Sequence, residues 1–226
     1  MSVILRGRVL AAAAVLASLG ACSILPEPVV RTPYVLPMAA VPSNASLPQA
    51  GWNVRVVTPH AVRSLDSRQW WIVAPDASVS AYKDVLWAEA APVMVRERLI
   101  TAFIDARRFS GVSNELSGLP ADFELESSLR AFQVLRKADG GGTVYLRLDA
   151  DLLHLDSRRV VADQVFEERV DVPDLGTETV VQAYGRATDA LAADVLAWAI
   201  EAGNKNWQSP STRVEPMLLR RLPAQQ

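Results

Sequence analysis

Apolar and polar positions alternate along the second half of the chain with the period of a half-buried strand. Val144, Leu146, Leu148, Ala150 and Leu152 interleave with Arg147, Asp149 and Asp151, which predicts one strand with a core face and a solvent face. Phe123, Leu125 and Leu129 alternate in the same way, whereas Phe132 and Val134 continue in the opposite phase. Such a slip is what a bulge or strong bend near Arg130 produces. Val161, Val165, Phe166 and Val170 mark a third strand, with Asp139-Gly140-Gly141-Gly142 and Ser157-Arg158-Arg159 as the connecting turns. Two shorter runs lie upstream, Val54-x-Val56-Val57 and Gln69 to Val73, the second stopped by Pro75 and Asp76. Arg63 to Arg68 is the polar turn between them.

Elsewhere the period is helical. Pro92 suits a first turn, and Val95, Leu99, Ala102, Phe103 and Ala106 follow on one face, with Arg96, Glu97, Asp105 and Arg107 between them. Val180, Tyr184, Ala187, Leu191, Val195 and Trp198 line a second helix, with Thr179 and Gln182 as a capping box and Gly203-Asn204 as its stop. The pattern therefore predicts a single α+β domain over 51–203, with a mixed, largely antiparallel sheet of about five strands packed by two main helices.

The flanking segments read differently. Arg6 and Arg8 precede the apolar run Val9 to Leu19, and Gly20-Ala21 leads to Cys22, so 1–21 reads as an export signal too short for a comfortable membrane span. Leu19-Gly20-Ala21-Cys22 resembles the bacterial lipobox, which implies cleavage before Cys22 and acylation of that cysteine. The competing reading is a buried thiol in an uncleaved anchor. Ser23 follows where an Asp would be expected to hold a lipoprotein in the inner membrane of enteric-type bacteria, so the resemblance favours the outer membrane. Pro26, Pro28, Pro33, Pro37, Pro42 and Pro48 make 22–50 an extended tether, in which Tyr34-Val35-Leu36 is an apolar island suited to an edge strand. A tail follows over 204–226, broken by Pro210, Pro216 and Pro223 around the apolar, basic run Met217 to Leu222.

Charge and chemistry narrow the picture further. A net charge of −2 and a pI near 5.8 give no basic field for nucleic acid, and a single cysteine forms no internal disulfide. Asp149, Asp151, His154 and Asp156 are the most metal-like group, yet Arg147, Arg158 and Arg159 stand among them, and an ion-paired solvent face explains them more simply. The triple glycine lacks the Lys, Ser/Thr and following helix of a phosphate loop, and no serine stands in a nucleophile elbow. Glu167 and Glu168 are strand neighbours and point to opposite faces, so they do not form an acid/base pair. No cofactor, metal or catalytic residue is implied. What remains is aromatic: Trp70, Trp71, Tyr82 and Trp87 fall close together, and the first two must face opposite sides of the sheet. One belongs to the core, and the other needs cover from the domain, a partner or lipid.

The ordered set Tyr34-x-Leu36, Val54-x-Val56, Trp71-Ile72-Val73, Tyr82, Trp87-Ala88, Pro92, Leu99, Phe103 and Phe109-Ser110-Gly111-Val112 resembles the ABC-type transport auxiliary lipoproteins. Phe123-x-Leu125, Leu129, Phe132, Val144-x-Leu146, Phe166, Ala183 and Trp198 extend the resemblance to about Gly203. It implies a non-enzymatic subunit working beside a permease, a cytoplasmic ATPase and a periplasmic mammalian-cell-entry-domain protein that moves lipids or other apolar molecules. It also implies a lipid anchor at Cys22, a location facing the periplasm and, for some members, a homo-oligomer. Trp70, Trp71, Tyr82 and Trp87 are then the expected partner contacts. A lipid-binding carrier and a structural envelope lipoprotein are the other classes consistent with the residues.

Overall fold

The computed structural model describes residues 30–38 and 46–207. The chain divides into two compact units after Arg31, and the described secondary structure belongs to the second. In chain order it comprises β1 (Thr32–Tyr34), β2 (Ala50–Val56), β3 (His60–Ala61), β4 (Trp71–Val73), β5 (Val79–Ala81), β6 (Val85–Trp87), α1 (Ala91–Ala106), β7 (Phe109–Asn114), β8 (Phe123–Arg136), β9 (Gly142–His154), β10 (Arg159–Val172) and α2 (Thr177–Asn206). Cys22, the export signal and the Met217 to Leu222 run lie outside the described residues.

The three long alternating runs form an antiparallel meander, β8 with β9 and β9 with β10. Phe123, Leu125, Leu129, Val144, Leu146, Leu148 and Leu152 are all buried, as the alternation requires. Against a continuous β9, the register of β8 shifts between Leu129 and Ala131, leaving Arg130 as the extra residue. That bulge returns Phe132 and Val134 to the buried face. Gly140 turns β8 into β9 at φ +95°, a conformation that a side chain would strain.

The other edge of β8 is patched by short parallel strands. β2 pairs with it at Phe123 to Leu125, β3 at Ser128 and Leu129, and β4 at Gln133 to Leu135. β7 adds outside β2, and β5 adds antiparallel to β4. The main sheet thus has eight strands rather than about five, and β1 with β6 makes a separate parallel pair. β4 falls within the expected Gln69 to Val73 run and β1 overlaps the expected edge strand at Tyr34, whereas β3, β5 and β6, of two or three residues, are too short to establish a period, and the six-residue β7 is also not read from the pattern.

Both helices cover one face. α2 packs along β9 and β10, α1 along β7 and β2, and the helices touch each other. The core between them holds Trp52, Phe103, Phe123, Leu146, Tyr184, Leu191 and Val195. α2 differs from its predicted ends. Gly176 is its N-cap with no side-chain cap bond, so Thr179 and Gln182 do not form a capping box. The helix also continues through Gly203-Asn204 to Asn206. A Cβ at Gly203 would stand 2.2 Å from Cζ2 of Trp52, so this glycine admits an indole rather than ending a helix. Asn204 completes the contact, its Oδ1 accepting from Trp52 Nε1–H at 2.8 Å and its Nδ2 donating to the Gln49 carbonyl at 3.0 Å.

Candidate functional site

The four aromatic candidates do not share one surface. Trp70 and Trp87 are fully buried and stack with ring centroids 4.2 Å apart. Tyr34, Tyr82 and Tyr184 meet Trp70 edge-on at 5.3, 5.6 and 6.0 Å, and Phe132 lies 4.8 Å from Tyr184. As direct partner contacts Trp70 and Trp87 are therefore corrected: with no exposed surface they are the centre of an aromatic core. Trp71, turned to the other side as its adjacency to Trp70 demands, is half-buried and donates from Nε1 to the Ser64 carbonyl at 2.7 Å. The polar turn at 63–68 thus gives it partial cover. Tyr82 is also half-buried. Burial chiefly pushes its phenol up to about 12, against the opposing charge of Arg136 and with a contribution from Asp174. Burial, then the neighbouring Tyr82, raises Tyr184 well above the usual range, so both phenols stay neutral.

Trp71 and Tyr82 flank a hairpin that offers a free edge. Among the described residues β5 pairs only with β4, all three of its residues are exposed, and Val79 is 60% exposed. The turn is set locally: Asp76 Oδ1 accepts from the Ser78 amide at 3.0 Å and hydroxyl at 2.7 Å, and those bonds lower the carboxyl pKa. Val79 and Trp71 lie on one face of the hairpin and Tyr82 on the other against Trp70, and the outer edge of β5 has no partner strand among the described residues, the geometry on which an extended segment of another chain adds as a strand.

The tether segment lies near the same aromatic core. β1 pairs with β6 and places Tyr34 against Trp70, while Val35 and Leu36, expected to share its strand, fall outside it. A Cβ on Gly185 would stand 2.8 Å from the Pro37 carbonyl, so a glycine in α2 lets the tether pass. Beyond it, Val35, Leu36, Met38, Val93 and Met94 line an apolar groove of about 160 Å³. Arg98 is buried at the α1–α2 contact and ion-paired with Asp189. Sequence reasoning missed this pair, although an arginine three residues after Val95 on an apolar stripe was its signal.

The carboxylates of the meander are held by cations. Asp149 accepts from Arg130 at 2.8 Å and from Arg147 at 3.1 Å, and Arg147 reaches Glu167 at 3.3 Å. Against slight burial, which would raise it, those two arginines keep Asp149 below the ordinary carboxylate range. His154 Nδ1 accepts from the Ser157 amide at 3.3 Å and so serves the β9–β10 turn. Glu167 joins the exposed ladder, whereas Glu168 on the opposite face is raised by burial and then by Asp194 of α2. Among the described residues no group of three or more His, Cys, Asp or Glu side chains could hold a metal ion.

These features define an α+β single-domain module with a hairpin edge unpaired among the described residues and an apolar groove beside α1. A model of the family described as the ABC-type transport auxiliary lipoprotein component matches residues 34–196, and the chain belongs to that family. By that description the family's members are lipoproteins and auxiliary components of ABC-type transport. An uncharacterized protein of Bradyrhizobium diazoefficiens, bll6063, is 27% identical over 174 residues, which are 76% of this chain and 44% of that protein. The chain thus spans under half the length of that relative. Protein XCC0632 of Xanthomonas campestris has a similar fold, with a TM-score of 0.73 and 24% identity over 79% of this chain and all of that one. A second solved structure, of an uncharacterized protein, aligns with a TM-score of 0.58 and 15% identity over 74% of this chain and 97% of its own. Among the described residues, no helix is long and apolar enough to cross a membrane.

Proposed function

We propose that the protein is a lipid-anchored docking subunit, without catalysis of its own, for an ABC-type system that moves lipids or other apolar molecules. Cys22 carries the acyl anchor, in the outer membrane and facing the periplasm. The proline-rich tether gives reach, about 30 Å for the roughly ten residues from Cys22 to Arg31 in extended form. The domain binds the periplasmic mammalian-cell-entry-domain protein along the β4–β5 edge, through Trp71, Tyr82 and Val79. The family match over 34–196 carries this reading. The unpaired β5 edge supports it, because main-chain pairing to a partner strand needs no deep pocket.

The groove beside α1, at about 160 Å³, is by itself smaller than the roughly 300–1,000 Å³ of sites that bury a drug-sized ligand, whereas a cavity of about 430 Å³ lined by Leu47, Ala197 and Ile200 falls within that range. Affinity purification of the full, acylated chain from its own envelope in mild detergent, followed by mass spectrometry, tests the role. A co-purifying mammalian-cell-entry-domain protein with its permease or ATPase is the expected result. Recovery of the chain alone, or with cell-wall proteins only, would remove the docking role.

A further inference from the structure

The outer face of the meander is charge-balanced except in one row. Arg55 meets Glu124 at 3.0 Å, Arg147 bridges Asp149 and Glu167, and Lys137 meets Asp171 at 2.9 Å. Between these pairs, Glu126, Asp151 and Asp163 are direct register partners across three neighbouring strands. Like charges so opposed are destabilising, and among the described residues none of the three has a cation. Val160 and Val165 flank the row on β10 and are 53% and 50% exposed. β10 is fourteen residues long and among the described residues pairs only with β9, leaving its outer edge open there. Long open edges of this kind are ordinarily covered or blunted.

We propose that the chain's own segment Arg213 to Leu222 docks on this surface, setting Arg220 and Arg221 against the carboxylate row and Met217, Leu218, Leu219 and Leu222 against Val160 and Val165. The complementarity is of both kinds: between Arg213 and Leu222 stand three arginines and one acid, and Met217 to Leu222 contains no proline. Position favours it too. Lys205 and Asn206, at the end of α2, line one cavity of about 300 Å³ with Val161, Ala162 and Gln164, so α2 ends against the inner face of the strand whose outer face carries Asp163. The nine residues from Gln208 to Pro216 extend up to about 30 Å, against about 15 Å across three strand spacings. The docked segment caps the edge and discharges the acidic row. This assignment is independent of the transport role.

Limited trypsin digestion of the full chain reads it directly, since Arg220 and Arg221 are cleavage sites. Docking slows cleavage there at least about fivefold relative to an E126Q/D151N/D163N variant, and high salt removes the protection. In a chain ending at Trp207, amides of Val160 to Val165 should then exchange about tenfold faster than in the full chain. Equal cleavage with unchanged exchange would overturn the proposal. Protection that grows with protein concentration would overturn it as well, by giving the edge to a second copy.

Discussion

Gly203 shows how one residue type carries two readings. A glycine before an asparagine near the end of an apolar stripe reads as a helix stop, but the constraint comes from Trp52, distant in sequence, and only the fold reveals it. Gly203→Ala should cost about 1–3 kcal/mol through overpacking against the indole, measured as a lower midpoint in urea. Arg98 and Asp189 carry a second constraint. Asp189→Ala leaves a buried guanidinium without its carboxylate, for an expected loss of about 3 kcal/mol in the same assay. Replacing both with apolar residues should recover most of it. Glu168 has the opposite sign from Asp149. Its folded pKa is raised, so the native state binds the proton more tightly and stability falls as pH rises from the unfolded value toward the folded one. Glu168→Gln should remove that decline from a pH series of unfolding midpoints, whereas Asp149→Asn should lose stability that the wild type has above the unfolded Asp pKa. Of the aromatic candidates, adjacency alone tells that Trp70 and Trp71 part company. Which side is covered depends on β1 and Tyr184, far from Trp70 in sequence, and on the Ser64 turn, whose hydrogen bond to Trp71 the residue pattern does not announce.

At the scale of elements, length decided legibility. The meander and both helices repeat their period several times, and even the bulge at Arg130 shows as a phase reversal between Leu129 and Phe132. β3, β4, β5 and β6 are two or three residues long and owe their conformation to the partner strand rather than to alternation. β1 is the most conditional of them, joined to β6 by three register pairs and passing α2 only because residue 185 has no side chain. Gly185→Ala should push Pro37 outward and loosen β1 from β6. Faster chymotryptic cleavage at Tyr34, with a red shift in emission as Trp70 and Trp87 meet water, is the expected outcome. Unchanged cleavage and emission would show that the tether yields without releasing the strand.

For the whole molecule, the sequence conveyed architecture better than site. One α+β domain follows from the period, but the edge proposed for recognition is created when short strands pair, and no residue pattern announces it. The proposed docking role therefore stands on family membership and on the strand edge of β5. The most direct test replaces Val79, at the centre of that edge, with a photo-crosslinking amino acid in the acylated chain and irradiates intact envelopes. A covalent product with a mammalian-cell-entry-domain protein, lost when the crosslinker is moved to Ile104 on the solvent side of α1, is the predicted result. An identical product from both positions, or none from Val79 while the two proteins still co-purify, would contradict docking along β5.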